Sequence, residues 1–284
     1  MNILLCPISD PGYLYPTVRV GIDLRQRGHT VSLLGNERAA AAARTAAIDL
    51  IPASDVGDPG AFRVAYWSHN SLQQFQAVLQ AAKSLRADLL VTSVLCHGAL
   101  LAAEVLDLPV VVMGFAAHLC RYQAGAEGEP AVPAERAWRE ESLLAYYAQA
   151  REQAGLAPRR GALTQQALIG SGLLLRGHPE LEHPGGVLPP RVHRVGPCLW
   201  EPPADPAEVA DINSALDRVG KPVVYVHLGR TFGGDSLWPR LNSAFTDGPF
   251  QAVVELGRSG EPQPSDAADV LIVRKPWKIG RAHG

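Results

Sequence analysis

The sequence predicts an α/β fold of two lobes, each a parallel sheet wrapped by helices, with the second lobe incomplete. Strand and helix patterns alternate through the first 175 residues, the order that gives a parallel sheet. A second apolar, β-branched run ending in glycines, KPVVYVHLGRTFGG, starts at Lys221 and begins a similar lobe. Only about 60 residues follow this run, against roughly 100 to 150 in a complete domain. We therefore expect the chain to be truncated on its C-terminal side.

The first part of lobe one contains three strands and two helices. Asn2 to Cys6 is apolar and predicts the first strand. Pro16 suits a first helical turn and Gly28 the end of a helix, so a helix is expected over 16–27, with Val20 and Leu24 on one face. The remaining elements are a strand over 31–34, an alanine-rich helix over 37–47 and a strand over 48–51.

The second part of the lobe repeats the alternation. Five apolar residues recur at helical spacing and predict a long amphipathic helix: Leu72, Phe75, Leu79, Ala82 and Leu85. Two buried strands are expected next, over 88–94 and 110–113, with a helix over 98–106 between them. A helix over 134–154 and strands over 172–176 and 191–195 complete the lobe, which we place at residues 1–196.

A proline-rich segment, PCLWEPPADP at 197–206, is typical of a semi-rigid connector. With a short helix over 207–219, it gives a linker at 197–220. The partial second lobe then covers 221–277, with strands expected over 223–228, 252–256 and 270–274 and a helix over 237–245.

Composition favours a small-molecule partner. The net charge is −2 and no run of Lys and Arg is longer than the pair Arg159 and Arg160, which predicts no binding of nucleic acid or of an anionic membrane. No apolar stretch approaches the roughly 18 residues of a membrane span, and the N-terminus lacks a basic leader, so a cytoplasmic location is expected. The four cysteines, which lack metal-ligand spacing, are Cys6, Cys96, Cys120 and Cys198.

Five stretches, in this order, carry a resemblance to a known family: PISDPGYLYPTVRVGIDLRQRGHTVSLLG, ADLLVTSVLCHGALLAAEVLDLPVVV, RVHRVGPCLWEPP, KPVVYVHLGRTFGG and ADVLIVRKPW. The chain resembles the GT-B glycosyltransferases, which have two Rossmann-like lobes and act on small lipophilic acceptors. The resemblance implies an acceptor pocket in the first lobe and a donor site in the second. It also implies transfer of a hexosyl group, with inversion, from a UDP- or dTDP-sugar as co-substrate, in specialised metabolism. No metal or separate cofactor is expected.

The candidate general bases depart from the family pattern. Where many relatives have a Gly-His pair, this chain has Gly12-Tyr13, and free tyrosine has a pKa near 10, which makes Tyr13 a poor base. Asp10 on the same loop is an alternative, although an aspartate before Pro-Gly more often forms a turn. Ser93 stands where relatives have an orienting carboxylate. His97 is a further candidate base because imidazole titrates near neutral pH, although a histidine at a helix start is usually structural.

Two groups of residues are expected to bind substrates. By resemblance and by the apolar character of such pockets, the acceptor would contact Tyr13, Tyr15, Trp67, Ser93, Phe115 and His118, although a core role for several of them is equally open. The donor phosphates would contact the glycine-rich turn after the first strand of lobe two, which contains Gly229, Arg230, Thr231 and Gly233. The nucleobase would stack on Trp277.

The end of the sequence, 278–284, departs from the family. Its KIGRAH matches the translation of a common sequencing adapter, so we expect Lys278 to Gly284 to be non-native, and resequencing past the Trp277 codon tests this. We therefore expect weak or no turnover from this chain.

Two other functions stay open at this point. A non-catalytic GT-B homologue could bind a lipophilic ligand or assist a partner transferase, which Tyr13 at the base position would suit. A nucleotide-sugar epimerase on the same fold is less favoured, because both of its lobes would have to bind one donor. The sequence does not determine the oligomeric state.

Overall fold

The structure is a computed structural model that describes residues 1–53, 71–115, 134–158, 164–178, 190–227, 238–255 and 269–273, together with residues 180 and 188. The chain divides into two compact units, and the boundary between them lies after Pro202. That boundary falls inside the predicted linker, while the exact limits of the predicted domains stay predictions.

The first unit contains seven strands among its described residues, and they form one parallel sheet in the order β3-β2-β1-β4-β5-β6-β7. The strands are β1 (Asn2–Cys6), β2 (Thr30–Gly35), β3 (Asp49–Pro52), β4 (Leu89–Ser93), β5 (Val110–Gly114), β6 (Gly172–Leu175) and β7 (Val192–Arg194). The chain order reverses between β1 and β4, which makes this the switch point of a doubly wound sheet, where ligands usually bind.

Helices connect these strands: α1 (Pro11–Gln26), α2 (Glu37–Ala46), α3 (Ser71–Leu85), α4 (His97–Leu106) and α5 (Ala134–Gln153), with a short 3₁₀ turn at Gln165–Ala167. Apolar side chains of β1, β2, α1 and α2 share one core, which includes the fully buried Leu5, Val18 and Leu33. Because each strand is parallel to its neighbours, both sheet faces need such a cover.

The sequence predicted a helix over 16–27, but α1 begins five residues earlier. The helix begins at Pro11, and Asp10 is its N-cap, with the carboxylate accepting from Gly12 N at 3.0 Å. Pro11 and Pro16 both suit a first turn, but only Pro11 follows a capping side chain. Pro16 therefore lies inside the helix.

The second unit has a three-stranded parallel sheet among its described residues, in the order β10-β9-β8. Its elements are α6 (Pro206–Val219), β8 (Val223–His227), α7 (Trp238–Phe245), β9 (Gln251–Glu255) and β10 (Val270–Val273). One core cluster joins Trp238 and Leu241 of α7 to the sheet, and another joins Leu216 of α6 to Val253 and Val273. Helices thus cover both faces of this sheet.

Gly98 of α4 lies against the backbone of α3, so a larger residue there should lower the stability of the protein. A Cβ added there would lie 2.3 Å from Ser71 O and 2.5 Å from Phe75 N, so the two helices would have to separate. We expect Gly98→Ala to lower the free energy of unfolding by about 1–3 kcal/mol, measured by urea denaturation. Gly172→Ala is the control, because its added Cβ would make an ordinary 3.5 Å contact with Arg191 O. Equal stability of the two variants would contradict this packing argument.

Candidate active site

Asp10 stands at the carboxyl edge of the first sheet, on the loop after β1. Its side chain is 2% exposed and its backbone is extended, as an N-cap requires. Its carbonyl oxygen also accepts from Leu14 N at 2.7 Å, the first hydrogen bond of α1. The structure therefore gives Asp10 a capping role, which agrees with the turn-forming interpretation and leaves a catalytic role as a prediction.

Tyr13 and Phe115 come together around a buried arginine. Arg176 directly follows β6, and its guanidinium carbon lies 4.3 Å from the Phe115 ring centroid and 5.9 Å from that of Tyr13. The guanidinium is thus in cation–π contact with Phe115. The first turn of α1 and the residues that directly follow β5 and β6 therefore meet at this edge and combine one cation with two aromatic rings.

Tyr15 packs against the core of the first unit, and its expected acceptor-binding role stays a prediction. Its ring packs edge-to-face on Trp200 with centroids 5.7 Å apart, and both rings contact the main core. Burial raises the pKa of the Tyr15 phenol above its ordinary value. These contacts favour the core role that the sequence left open for this residue.

Ser93 and His97 line a small cavity beyond the end of β4. The cavity has a volume of about 20 Å³, enough for one water molecule, and its other walls are apolar, including Leu100, Leu143 and Ile169. Within the part of the chain that the structure describes, Ser93 Oγ and His97 Nδ1 have no hydrogen-bond partner. The cavity thus offers two polar atoms in an apolar surrounding.

His97 is buried as a neutral imidazole. Its side chain is 2% exposed and packs edge-to-face on Tyr147, with ring centroids 5.7 Å apart. Burial lowers the pKa of His97 to about 4, so at neutral pH it is a weak base. The geometry thus weakens the case for His97 as the general base.

The second sheet has its own polar cluster at its carboxyl edge. His227 Nδ1 lies 3.1 Å from Glu255 Oε2, and the Tyr225 hydroxyl donates to the same oxygen. His227 and Glu255 are register neighbours at the ends of β8 and β9. In parallel sheets, ligands bind beyond such strand ends.

Sequence reasoning missed Arg176, Glu255 and His227. An arginine directly after the buried run GLLL was a usable signal for Arg176. Outside the described residues lie the acceptor candidates Trp67 and His118, the suspected tail 278–284, and all the predicted donor contacts: Gly229, Arg230, Thr231, Gly233 and Trp277.

Neither a metal cluster nor a reactive thiol is found in the described ranges. No group of three or more metal-binding side chains lies together there, and no helix there is long and apolar enough to cross a membrane. Cys6 and Cys96 are buried free thiols, and burial raises the pKa of Cys6. These two cysteines therefore act as apolar core residues, as expected.

The architecture of this chain is similar to that of several solved glycosyltransferases. The glycotransferase of kitacinnamycin superimposes with a TM-score of 0.66 at 16% identity, over 97% of this chain and 71% of that chain. CalG4, the calicheamicin glycosyltransferase, gives 0.64 at 18% identity, over 97% and 70%. The glycosyltransferase VinC in complex with dTDP gives 0.56 at 18% identity, over 96% and 71%.

The chain has the GT-B fold. At these identities, the likeness shows the fold alone, which the sequence resemblance had predicted. The chain spans about seven-tenths of the length of these solved structures. No protein-family model and no curated protein matches the sequence.

The lowered pKa of His97 predicts that the free energy of unfolding depends on pH. Between pH 6.5 and about 4, the unfolded chain binds a proton that native His97 does not bind, so the free energy of unfolding should fall as pH decreases through this range. We expect this one group to contribute up to about 3 kcal/mol of the decrease. Urea unfolding across this pH range would measure it.

His97→Phe is the matched variant, because it keeps a ring against Tyr147 and removes the titrating group. Carboxylates contribute to the pH dependence of both proteins, so the difference between the two curves isolates His97. The same slope in both proteins would show that native His97 takes up its proton normally.

Proposed function

We propose that this protein is a glycosyltransferase that moves a sugar from a nucleotide-diphosphate donor to a hydroxyl of a small lipophilic acceptor. The observation that carries the proposal is the GT-B fold, matched over 97% of the chain to the glycosyltransferases of kitacinnamycin and calicheamicin. Polar residues at the carboxyl edges of both described sheets support it, because substrates bind there in parallel sheets.

The donor would be a UDP- or dTDP-sugar. One neighbour was solved in complex with dTDP, and another, the spinosyn rhamnosyltransferase SpnG, with spinosyn aglycone. By analogy, the second unit would bind the nucleotide through Gly229, Thr231 and Gly233, for which the sequence predicts a turn, and the first unit would bind the acceptor beside Tyr13 and Phe115. Hexosyl transfer with inversion and a cytoplasmic location belong to this proposal, as does weak turnover by this chain.

The first unit would bind the acceptor, and it carries the candidate general bases Asp10 and Tyr13. In an inverting displacement, a base takes the acceptor proton while the acceptor oxygen attacks the anomeric carbon and the diphosphate leaves. Arg176, Tyr13 and Phe115 would form the polar and aromatic wall against the acceptor. A buried cation there would favour acceptors that carry a partial negative charge, such as carbonyl or phenol oxygens.

Nucleotide binding tests this function directly. Isothermal titration of the full chain with UDP and with dTDP should show binding of at least one nucleotide, whereas NAD serves as the control because the sequence has no dinucleotide fingerprint. A chain that binds neither UDP nor dTDP would contradict the proposal. Product release from UDP- and dTDP-sugars, with a panel of lipophilic alcohols and phenols, then measures transfer.

A pair of Asp10 variants separates capping from catalysis. Asp10→Ala should lower stability by about 1 kcal/mol, because Gly12 N loses its acceptor, whereas Asp10→Asn should keep the cap and the stability. Thermal unfolding measures both. Because weak or no turnover is expected from this chain, turnover of Asp10→Asn is measured in the completed gene, where a loss of about 100-fold with an intact cap would make Asp10 the base.

Tyr13→Phe, also in the completed gene, addresses the other candidate base, which lies in the first turn of α1. A fall in turnover with acceptor affinity preserved would favour an enzyme in which the phenol takes part. Unchanged turnover would leave Tyr13 as part of the aromatic wall. We keep no second function beside this proposal, because no contact in the described units favours a non-catalytic homologue or an epimerase.

A further inference from the structure

The turn that joins β4 to α4 contains an unfavourable backbone conformation. Leu95 has a φ of 70°, which lies in the left-handed region that an apolar side chain rarely adopts. The turn is closed by a hydrogen bond of 3.2 Å from Cys96 N to Ser93 O. A second bond, of 3.0 Å from Val94 N to Met113 O, joins it to β5. Such a conformation persists only where the surrounding structure holds it in place.

Two buried polar side chains flank this turn. Ser93 is the last residue of β4 and is 1% exposed, and His97 is the first residue of α4 and is 2% exposed. Both line the small cavity beyond the end of β4. Within the described residues, Ser93 Oγ and His97 Nδ1 have no hydrogen-bond partner in the protein. A buried polar atom without a partner is unfavourable, so both atoms call for the same kind of ligand.

The other walls of the cavity limit what that ligand can be. They are apolar side chains of α4, α5, β6 and the residues around the 3₁₀ turn, namely Leu100, Leu143, Leu168, Ile169 and Leu173. Among the described lining residues none is charged at neutral pH, because burial lowers the pKa of His97 to about 4. An ion would therefore lose its hydration without gaining an opposite charge.

One water molecule fits both the size and the chemistry of the cavity. The space is sufficient for a single water, and a buried water needs at least two polar partners, which Ser93 and His97 supply. A hydroxyl and a neutral imidazole can each donate to water or accept from it. A wholly apolar cavity would instead remain dry.

The start of α4 adds an attraction for the oxygen of that water. The N-cap residue, Cys96, makes no side-chain cap hydrogen bond. The first N–H groups of a helix have no intrahelical acceptor, and the N-terminus carries a partial positive charge. Since His97 begins α4 and lines the cavity, the cavity lies at this positive end of the helix.

We infer that the cavity binds one water molecule, which bridges Ser93 Oγ and His97 Nδ1 and thereby holds the turn between β4 and α4. The bridge joins the residues on either side of Leu95 and opposes relaxation of its left-handed backbone. The turn lies beside the reversal of strand order between β1 and β4, so the bound water positions part of the edge where ligands usually bind. The inference does not depend on the proposed function.

Nuclear Overhauser effects between water and methyl groups test the occupancy in the full chain. With methyl-labelled leucine and isoleucine, a bound water should give effects of the sign expected for slow tumbling at Leu100, Leu143 and Ile169. Leu33 is the control methyl, because it is fully buried in the core shared with α1 and α2 and should show no such effect.

Ser93→Ala and His97→Phe each remove one of the two polar partners. We expect the effects at the cavity methyls to fall by about half or more in each variant, since a water with one partner is poorly held. His97→Phe also controls for exchange of the Ser93 hydroxyl proton with solvent, because that hydroxyl is retained in it.

Amide hydrogen exchange tests the positioning role. In Ser93→Ala we expect exchange at Val94 and Cys96 to become about tenfold faster or more, because both amides are hydrogen-bonded in or beside the turn. Asp107, at the other end of α4, is the matched control. It also has a positive φ, of 52°, and its amide donates to Glu104 O at 3.3 Å, but it does not line the cavity.

Three outcomes would overturn the inference. A wild-type chain with no effect between water and the cavity methyls would show that the cavity is dry. Effects of unchanged size in both variants would show that Ser93 and His97 do not hold the water. Unchanged exchange at Val94 and Cys96 in Ser93→Ala would remove the positioning role. None of these measurements uses a nucleotide or a sugar, so their failure leaves the proposed function untouched.

Discussion

Parallel hydrogen bonding of β1 to β2 on one side and to β4 on the other is the constraint on which the first unit depends. A parallel strand can be followed by its neighbour only through a crossover, so each strand must end at the same edge of the sheet. Thr92 Oγ1 donates to Cys6 O at 2.7 Å and joins β4 to β1 where both strands end. The loops that carry Asp10 and Arg176 therefore reach one edge because the strands are parallel.

The same constraint operates in the second unit, where it has an energetic consequence. Every residue of β9 is buried, so a carboxylate at its last position would be costly without hydrogen-bond donors. Tyr225 and His227 supply those donors from β8, because the parallel register puts His227 beside Glu255. A strand pairing that packs the core thus also creates the polar cluster at its end.

The sequence predicted the order and type of the described elements well, because apolar β-branched runs and helical periodicity are local signals. It misplaced the start of α1, since two prolines fit a first turn and only the carboxylate of Asp10 distinguishes them. It could not predict that Arg176 meets Phe115 or that His227 meets Glu255. Those contacts join residues far apart in the chain, and strand register, which is a tertiary property, decides them.

The His227–Glu255 contact also differs in its energetics from the apolar packing around it. Taking a carboxylate out of water is unfavourable, and apolar residues in place of a buried ionic pair are often neutral or stabilising. Stability of the second unit therefore gives little reason for a histidine and a carboxylate at these two positions.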